Sequence, residues 1–297
     1  MSPTFRASPL NASVDENLGL LAELRGHWFG HGFNLIARPD QQEGKPFFLE
    51  LNATRESLDF TAIGGDIPNR GSAQGDVNLH GLHYLQQVAD VDTDTGIHIE
   101  PGLWIRVPPT TAPAVGQDTY VRQATIPHGD SVLAQSITAI SLDGGPIIAS
   151  VDSTPFTGPV PQLNASSATP ETDPAYLAPF LNDPLPAGIA PELIAAATIK
   201  DPTRVLQAQI TKQTAHGHQF VNTIVLQIST APVGGIVNIP FVESNANAAQ
   251  LDAIFWIETI THPVAGTFVQ LQYVQRVILD FIGIRWPHFS VATLRKL

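Results

Sequence analysis

Residues 96–107 alternate in polarity with a period of two. Ile97, Ile99, Pro101, Leu103, Ile105 and Val107 fall on one parity, and His98, Glu100, Gly102, Trp104 and Arg106 on the other. Successive side chains of a strand point to opposite faces, so this run predicts a β-strand with one apolar face. Residues 267–281 repeat the pattern, with Val269, Leu271, Tyr273, Val277, Leu279 and Phe281 against Gln270, Gln272, Arg276 and Asp280. So do residues 47–54, where Phe47, Leu49 and Leu51 oppose Glu50, Asn52 and Thr54. Further strands are predicted over 58–63, 81–88, 119–127, 131–140, 147–150, 220–229, 236–241 and 253–261, and in the terminal segment. Many short strands at this spacing predict an antiparallel sandwich or barrel.

The alternation fails in three places. Residues 1–16 read as a loose leader, followed by one or two helical turns over 18–24. Between Gly26 and Gly32, glycine alternates with bulky groups, the pattern of a strand that bends or meets a close neighbour. Residues 154–173 are rich in Pro, Ser and Thr and read as irregular loop, with short helices expected over 175–181 and 191–197. Asp201-Pro202-Thr203 then predicts a helix start, Asp201 capping and Pro202 at the first helical position, with the helix running to about residue 212. The expectation is a single β domain over residues 1–297, interrupted by a loop-and-helix insertion at about 151–213.

The polar parities admit two readings. They form the wet outside of a half-buried sheet, or they line an internal cavity. Composition bears on the choice, because the rows carry amides, His and Trp but no Lys. Charged residues make up 14% of the chain, against about 25% in an average globular protein. A net charge of −12 and no basic stretch exclude nucleic acid as a partner. With no cysteine, disulfides, thiolate-bound zinc and thiolate-bound haem are excluded. No secretory signal and no membrane-spanning run are read in the sequence, so a cytoplasmic protein is expected. Outward apolar strand faces would need covering by the insertion or by a second copy in a homodimer.

Several side chains are candidates for chemistry. His98 and Glu100 share a face two residues apart. If 96–107 and 119–127 pair as a hairpin, His128 arrives near His98. Together His98, Glu100 and His128 could ligate a metal, act as acid and base, or form a buried polar network. Near the carboxyl end, Trp286-Pro287-His288 presents one imidazole in an apolar, β-branched setting, either a metal or cofactor ligand or a hydrogen-bonded turn residue. His27, His31, His80, His83, His216 and His218 sit among glycines or loops and read as exposed or structural. No nucleophile elbow, phosphate-binding loop or zinc-protease helix is present.

Three blocks in order give the chain a family likeness. They are Leu24-Arg25-Gly26-His27-Trp28-Phe29-Gly30-His31-Gly32, Ile97-His98-Ile99-Glu100-Pro101-Gly102-Leu103-Trp104, and Leu271-Gln272-Tyr273 through His288 to Arg295. On these the chain resembles the nitrobindin-like haem-binding β-barrels, lipocalin-like in shape and related to fatty-acid-binding proteins. The resemblance implies a closed antiparallel barrel of about ten strands. It also implies haem b, an iron cofactor held by His288 as axial metal ligand, with Trp286, Trp28 and Gln272 beside it. His98, Glu100, His128 or Arg106 would then act on bound peroxide, nitric oxide or peroxynitrite, in a peroxidase or an isomerase. The insertion has no counterpart in that family. The rival reading is a cofactor-free or non-haem-metal barrel that binds an apolar small molecule. It would use His98, Glu100 and His128 for lyase or isomerase chemistry.

Overall fold

The computed structural model describes residues 11–297. The leader expected over 1–16 lies outside the described residues as far as residue 10, and helix α1 (Asn11–Leu18) takes up the rest. Ten long strands follow in chain order: β1 (Gly26–Asp40), β2 (Lys45–Ala62), β3 (Val77–Asp90), β4 (Gly96–Val107) and β5 (Thr119–Ile126). The second half is β6 (Asp130–Asp143), β7 (Gln219–Ser229), β8 (Asn247–His262), β9 (Gly266–Phe281) and β10 (Ile284–Lys296). Each pairs antiparallel with its sequence neighbour, and β10 closes onto β1. The result is a closed up-and-down barrel, in which every long strand is paired on both sides over at least part of its length. Among the described residues no helix is long and apolar enough to cross a membrane.

The seam between β1 and β10 accounts for the early glycines. A Cβ on Gly30 would lie 2.0 Å from the Thr293 carbonyl oxygen, and one on Gly32 would lie 2.3 Å from that of Val291. A side chain at either position would push the closing strands apart.

Two strands expected over 47–54 and 58–63 are one strand, β2. Its polar middle, Arg55-Glu56-Ser57, keeps the alternation by turning Glu56 inward, where it is buried. No strand forms over 147–150, where Ile147 is 84% exposed at the start of the insertion. A strand covers only Gly235–Asn238 of the stretch expected over 236–241, and helix α5 (Pro240–Asn245) follows.

One end of the barrel is plugged. Leu18 of α1, and Leu21 and Leu24 of the 3-10 turn behind it, insert among Trp28, Leu58, Leu82, Trp104 and Tyr120. Burying each leucine contributes about 1.5–3 kcal/mol. The polar atoms of this end are also engaged. Trp28 Nε1 donates to the Leu24 carbonyl at 2.7 Å, and the Leu20 N–H donates to the Tyr120 hydroxyl at 3.2 Å.

The insertion joins β6 to β7 and carries α2 (Pro174–Asn182), α3 (Ala195–Lys200) and α4 (Thr203–Ala215). It forms a second core outside the barrel, in which Phe180, Ile199 and Leu206 pack with Phe33, Leu49, Trp256 and Phe289. This layer covers apolar outward faces that would otherwise call for a partner. The helix starts two residues beyond Asp201, whose Oδ1 accepts from the Thr203 hydroxyl at 2.6 Å and from the Val151 N–H at 3.2 Å. The carboxylate thus ties α4 to the first residues of the insertion.

The insertion also answers the question of the polar parities, and the answer differs between strands. On β2 and β4 the polar side faces the lumen, through Glu50, Asn52 and His98. On β9 it does not: Tyr273, Gln275, Val277 and Leu279 line the lumen instead. The row Gln270, Gln272 and Arg276 is buried beneath the insertion, neither wet nor lumenal. Arg276 Nη2 donates to the Pro161 carbonyl and to Asp252 Oδ2, at 2.8 and 2.7 Å. Gln270 and Gln213 of α4 bond each other, the shorter contact being 2.6 Å. Backbone carbonyls of an irregular segment need donors when buried, and this row supplies them.

Candidate functional site

Towards the rim opposite the plug, the inward parity turns polar and the side chains stop meeting across the lumen. They leave a cavity of about 330 Å³. Its polar lining includes Asn34, Glu56, Gln86, His98, His128 and His288, and its apolar lining includes Val88, Ile126, Val132, Leu251, Val277 and Leu279. A mainly apolar concavity with a few convergent polar groups is the usual form of a small-molecule site.

His288 stands on β10, paired with Val277 of β9. It is half-buried, and what surface it exposes opens on the cavity. Its Nε2 accepts from Asn34 Nδ2 at 2.8 Å, and the same amide nitrogen also donates to Ser290 Oγ at 2.9 Å. Burial, reinforced by the charges of His98 and His128, pushes the imidazole down to about pKa 3, so it is neutral at physiological pH.

His98 and His128 stand on the far wall. In a ten-stranded circuit β5, which leads into His128, lies diametrically across from β10. The two rings are stacked, with centroids 6.0 Å apart. The pairing of β4 with β5 in the register Gly102↔Ala124 brings them together, as the hairpin expectation required.

Beneath them lies a floor of buried polar groups. Arg122 Nη2 donates to Glu100 Oε1 at 2.5 Å, its Nε to the Tyr84 hydroxyl at 2.9 Å, and its Nη1 to Gln275 Oε1 at 2.6 Å. The Tyr84 hydroxyl also donates to Glu100. Burial alone would raise the Glu100 carboxyl, but Arg122 and the donors around it hold it at about pKa 2. Beside this cluster, Glu56 accepts from the Tyr273 hydroxyl at 2.6 Å, from Thr54 Oγ1 at 3.0 Å and from Gln86 Nε2 at 3.3 Å. Burial outweighs those bonds and pushes Glu56 up.

Of the residues singled out in the sequence, the cavity brings together His98, His128 and His288, with Glu100 in the floor below. Four others lie elsewhere. Arg106 sits at the plugged end, donating from Nε to Asp118 at 2.7 Å and from Nη1 to the Asn17 carbonyl at 2.9 Å. Trp28 is part of the plug. Trp286 belongs to the outer core, its ring 4.5 Å from Phe47, 5.3 Å from Phe281 and 5.7 Å from Tyr176. Gln272 is buried under α4 and donates to Thr293 Oγ1 at 2.8 Å. The expectation that these four flank the lumenal ligand is corrected. Each is held by a partner of its own, outside the cavity lining.

Glu100 is corrected as well. Its carboxylate is enclosed and bonded by Arg122 and Tyr84 in the floor, not presented free to the cavity. Among the described residues, no group of three or more His, Asp or Glu is placed to hold a metal ion, so His98, Glu100 and His128 do not form a two-histidine–carboxylate centre. His27 and His31 are exposed on the outside of β1.

Sequence reasoning missed Arg122, Glu56, Asn34 and Tyr273. Arg122 left a signal, as the one charged residue of its strand, on the parity of the buried Tyr120 and Ala124. Glu56 fell in the gap between two strands that turned out to be continuous.

The fold and cavity define a closed ten-stranded up-and-down barrel, packed at one end and hollow at the other. No family model matches the chain, and no curated protein matches it. Among solved structures it is similar to the crystal structure of Rv2717c from M. tuberculosis, with 14% identity, a TM-score of 0.45, and coverage of 95% of this chain and 99% of that one. The closed strand ladder, independent of that likeness, carries the assignment of the fold.

Proposed function

We propose that the protein binds a small, largely apolar molecule in the lumenal cavity, with the neutral imidazole of His288 as its anchoring group. Haem b, implied by the family likeness, is the candidate whose donor requirement these residues fit. Haem iron takes a neutral imidazole nitrogen, and burial keeps His288 neutral. Releasing Nε2 leaves nothing stranded, because the Asn34 amide keeps its bond to Ser290. When bound, haem supplies an iron centre able to hold a diatomic gas or a peroxide. His98 and His128, across the lumen, are the side chains placed to hydrogen-bond a small ligand there. The haem-linked roles then fall to these three histidines and not to Glu100 or Arg106.

The observation that carries the proposal is a histidine ring on the wall of the lumenal cavity whose Nε2 has one replaceable partner, Asn34. Titration of the apo-protein with hemin, followed by absorbance, tests it. Wild-type protein develops a Soret band at one equivalent, and His288→Ala weakens uptake at least tenfold while circular dichroism stays unchanged. Equal uptake by His288→Ala would overturn the assignment. Failure of the wild type to bind hemin would return the cavity to a cofactor-free apolar ligand, which a neutral fluorophore such as 1-aminoanthracene detects.

A further inference from the structure

The barrel wall is not continuous around the cavity. The ladder between β4 and β5 runs from Val107↔Thr119 to Gly102↔Ala124 and ends there. On its other side β4 stays paired with β3 past Glu100 and His98, and β5 stays paired with β6 through Ile126↔Asp130. The first six residues of β4 therefore have a neighbour on one side only, and a split opens towards the rim between them and the turn at Pro127–Gly129. The sequence supplies a cause: Pro101, the residue at which the ladder stops, has no N–H to offer a neighbouring strand.

A second cavity, of about 500 Å³, lies against this split from outside. It shares Glu56, Val88, Ile97, His98 and His128 with the lumenal cavity, so one thin wall of side chains separates the two. The stacked rings of His98 and His128 span the gap in that wall. His128 is exposed, the His98 side chain is 23% exposed, and His98 Nε2 has a single long contact, 3.3 Å, to Glu100 Oε2. Neither ring is locked by a short bond, and rotamer changes of such side chains occur in picoseconds to nanoseconds. The floor beneath, fixed by Arg122, stays in place when they move.

We infer that the split is a side entrance to the lumenal cavity, and that His98 and His128 are its two leaves and determine which solutes pass. The 6.0 Å separation of the two rings favours flat or few-atom molecules. The inference rests on the cavity reading above but not on the identity of the ligand.

Stopped-flow fluorescence with 1-aminoanthracene tests it on the full chain. A gate changes association and dissociation rates together and leaves Kd alone, whereas a contact residue changes Kd, mostly through dissociation. Ile99→Trp, at an exposed position that lines the outer cavity and not the lumenal one, should slow both rates at least fivefold with Kd within twofold of wild type. His98→Ala combined with His128→Ala should speed both. Unchanged rates in both variants would overturn the entrance, as would a changed Kd at unchanged association rate in Ile99→Trp. No fluorophore binding by the wild type would instead overturn the cavity reading, a result distinct from either.

Discussion

The two ends of this barrel are built from the same ten strands, and they differ in what the inward parity carries. At the plugged end it carries Trp28, Leu58, Phe60, Leu82 and Trp104, closed over by the leucines of the N-terminal segment. At the hollow end it carries Asn34, Glu56, His98 and His288 around empty space. Stability concentrates where side chains meet, and chemistry becomes possible where they do not. The contrast explains why Arg106, on the same strand and parity as His98, has a structural role. Six residues along β4, from His98 to Trp104, separate the cavity from the plug.

Substitutions at the two ends should therefore behave as opposites. The largest effect is expected from Trp104→Ala, which empties the centre of the plug and should cost about 3–5 kcal/mol in urea unfolding. A loss below about 1 kcal/mol would erase the distinction between the ends. Arg122→Ala, in the floor between them, should cost nearly as much, because it strands the buried Glu100 carboxylate; breaking such a pair typically costs about 3–5 kcal/mol. Adding Glu100→Gln should recover part of that loss, and no recovery would argue against the pairing.

Glu258 tests the outer layer. It is buried under α4, accepts from Gln270 Nε2 at 2.7 Å, and has a second oxygen, Oε1, without a partner. Burial pushes its pKa up from 4.5 to about 8. A carboxyl raised in the folded state favours folding below pH 4.5, and that contribution is lost as pH climbs through 8. Glu258→Gln should remove this dependence and make the variant more stable than wild type at pH 8, by on the order of 1–3 kcal/mol. Parallel stability profiles from pH 5 to 8 would contradict it. The smallest effect is expected from Arg106→Ala. Its partly exposed pair with Asp118 is worth about 1 kcal/mol or less, and hemin uptake should not change.

Much of this was legible in the sequence, for a physical reason. Strands with period-two alternation declare themselves, so β4 was bounded to the residue and β9 to within one. The register that brings His128 to His98 followed from hairpin geometry. What parity alone does not reveal is which side of a strand is the inside. On β2 and β4 the polar side faces the lumen, while on β9 a comparable row faces the insertion. Amides and a guanidinium satisfy backbone carbonyls there, and a row without lysine is compatible with either place. Trp286 and Gln272 were misplaced for the same reason, because an irregular segment that covers the outside of a barrel leaves no periodic trace.

Ligand capture depends on an uncharged His288 facing an accessible cavity. Nitrogen NMR of histidine-labelled protein from pH 8 to pH 4 observes this directly, with the resonance assigned by its loss in His288→Gln. One imidazole should keep its neutral pattern throughout that range, with the proton on Nδ1, and its Nε2 should shift when a cavity ligand is added. A His288 signal that titrates near pH 6.5 and ignores the ligand would contradict the account.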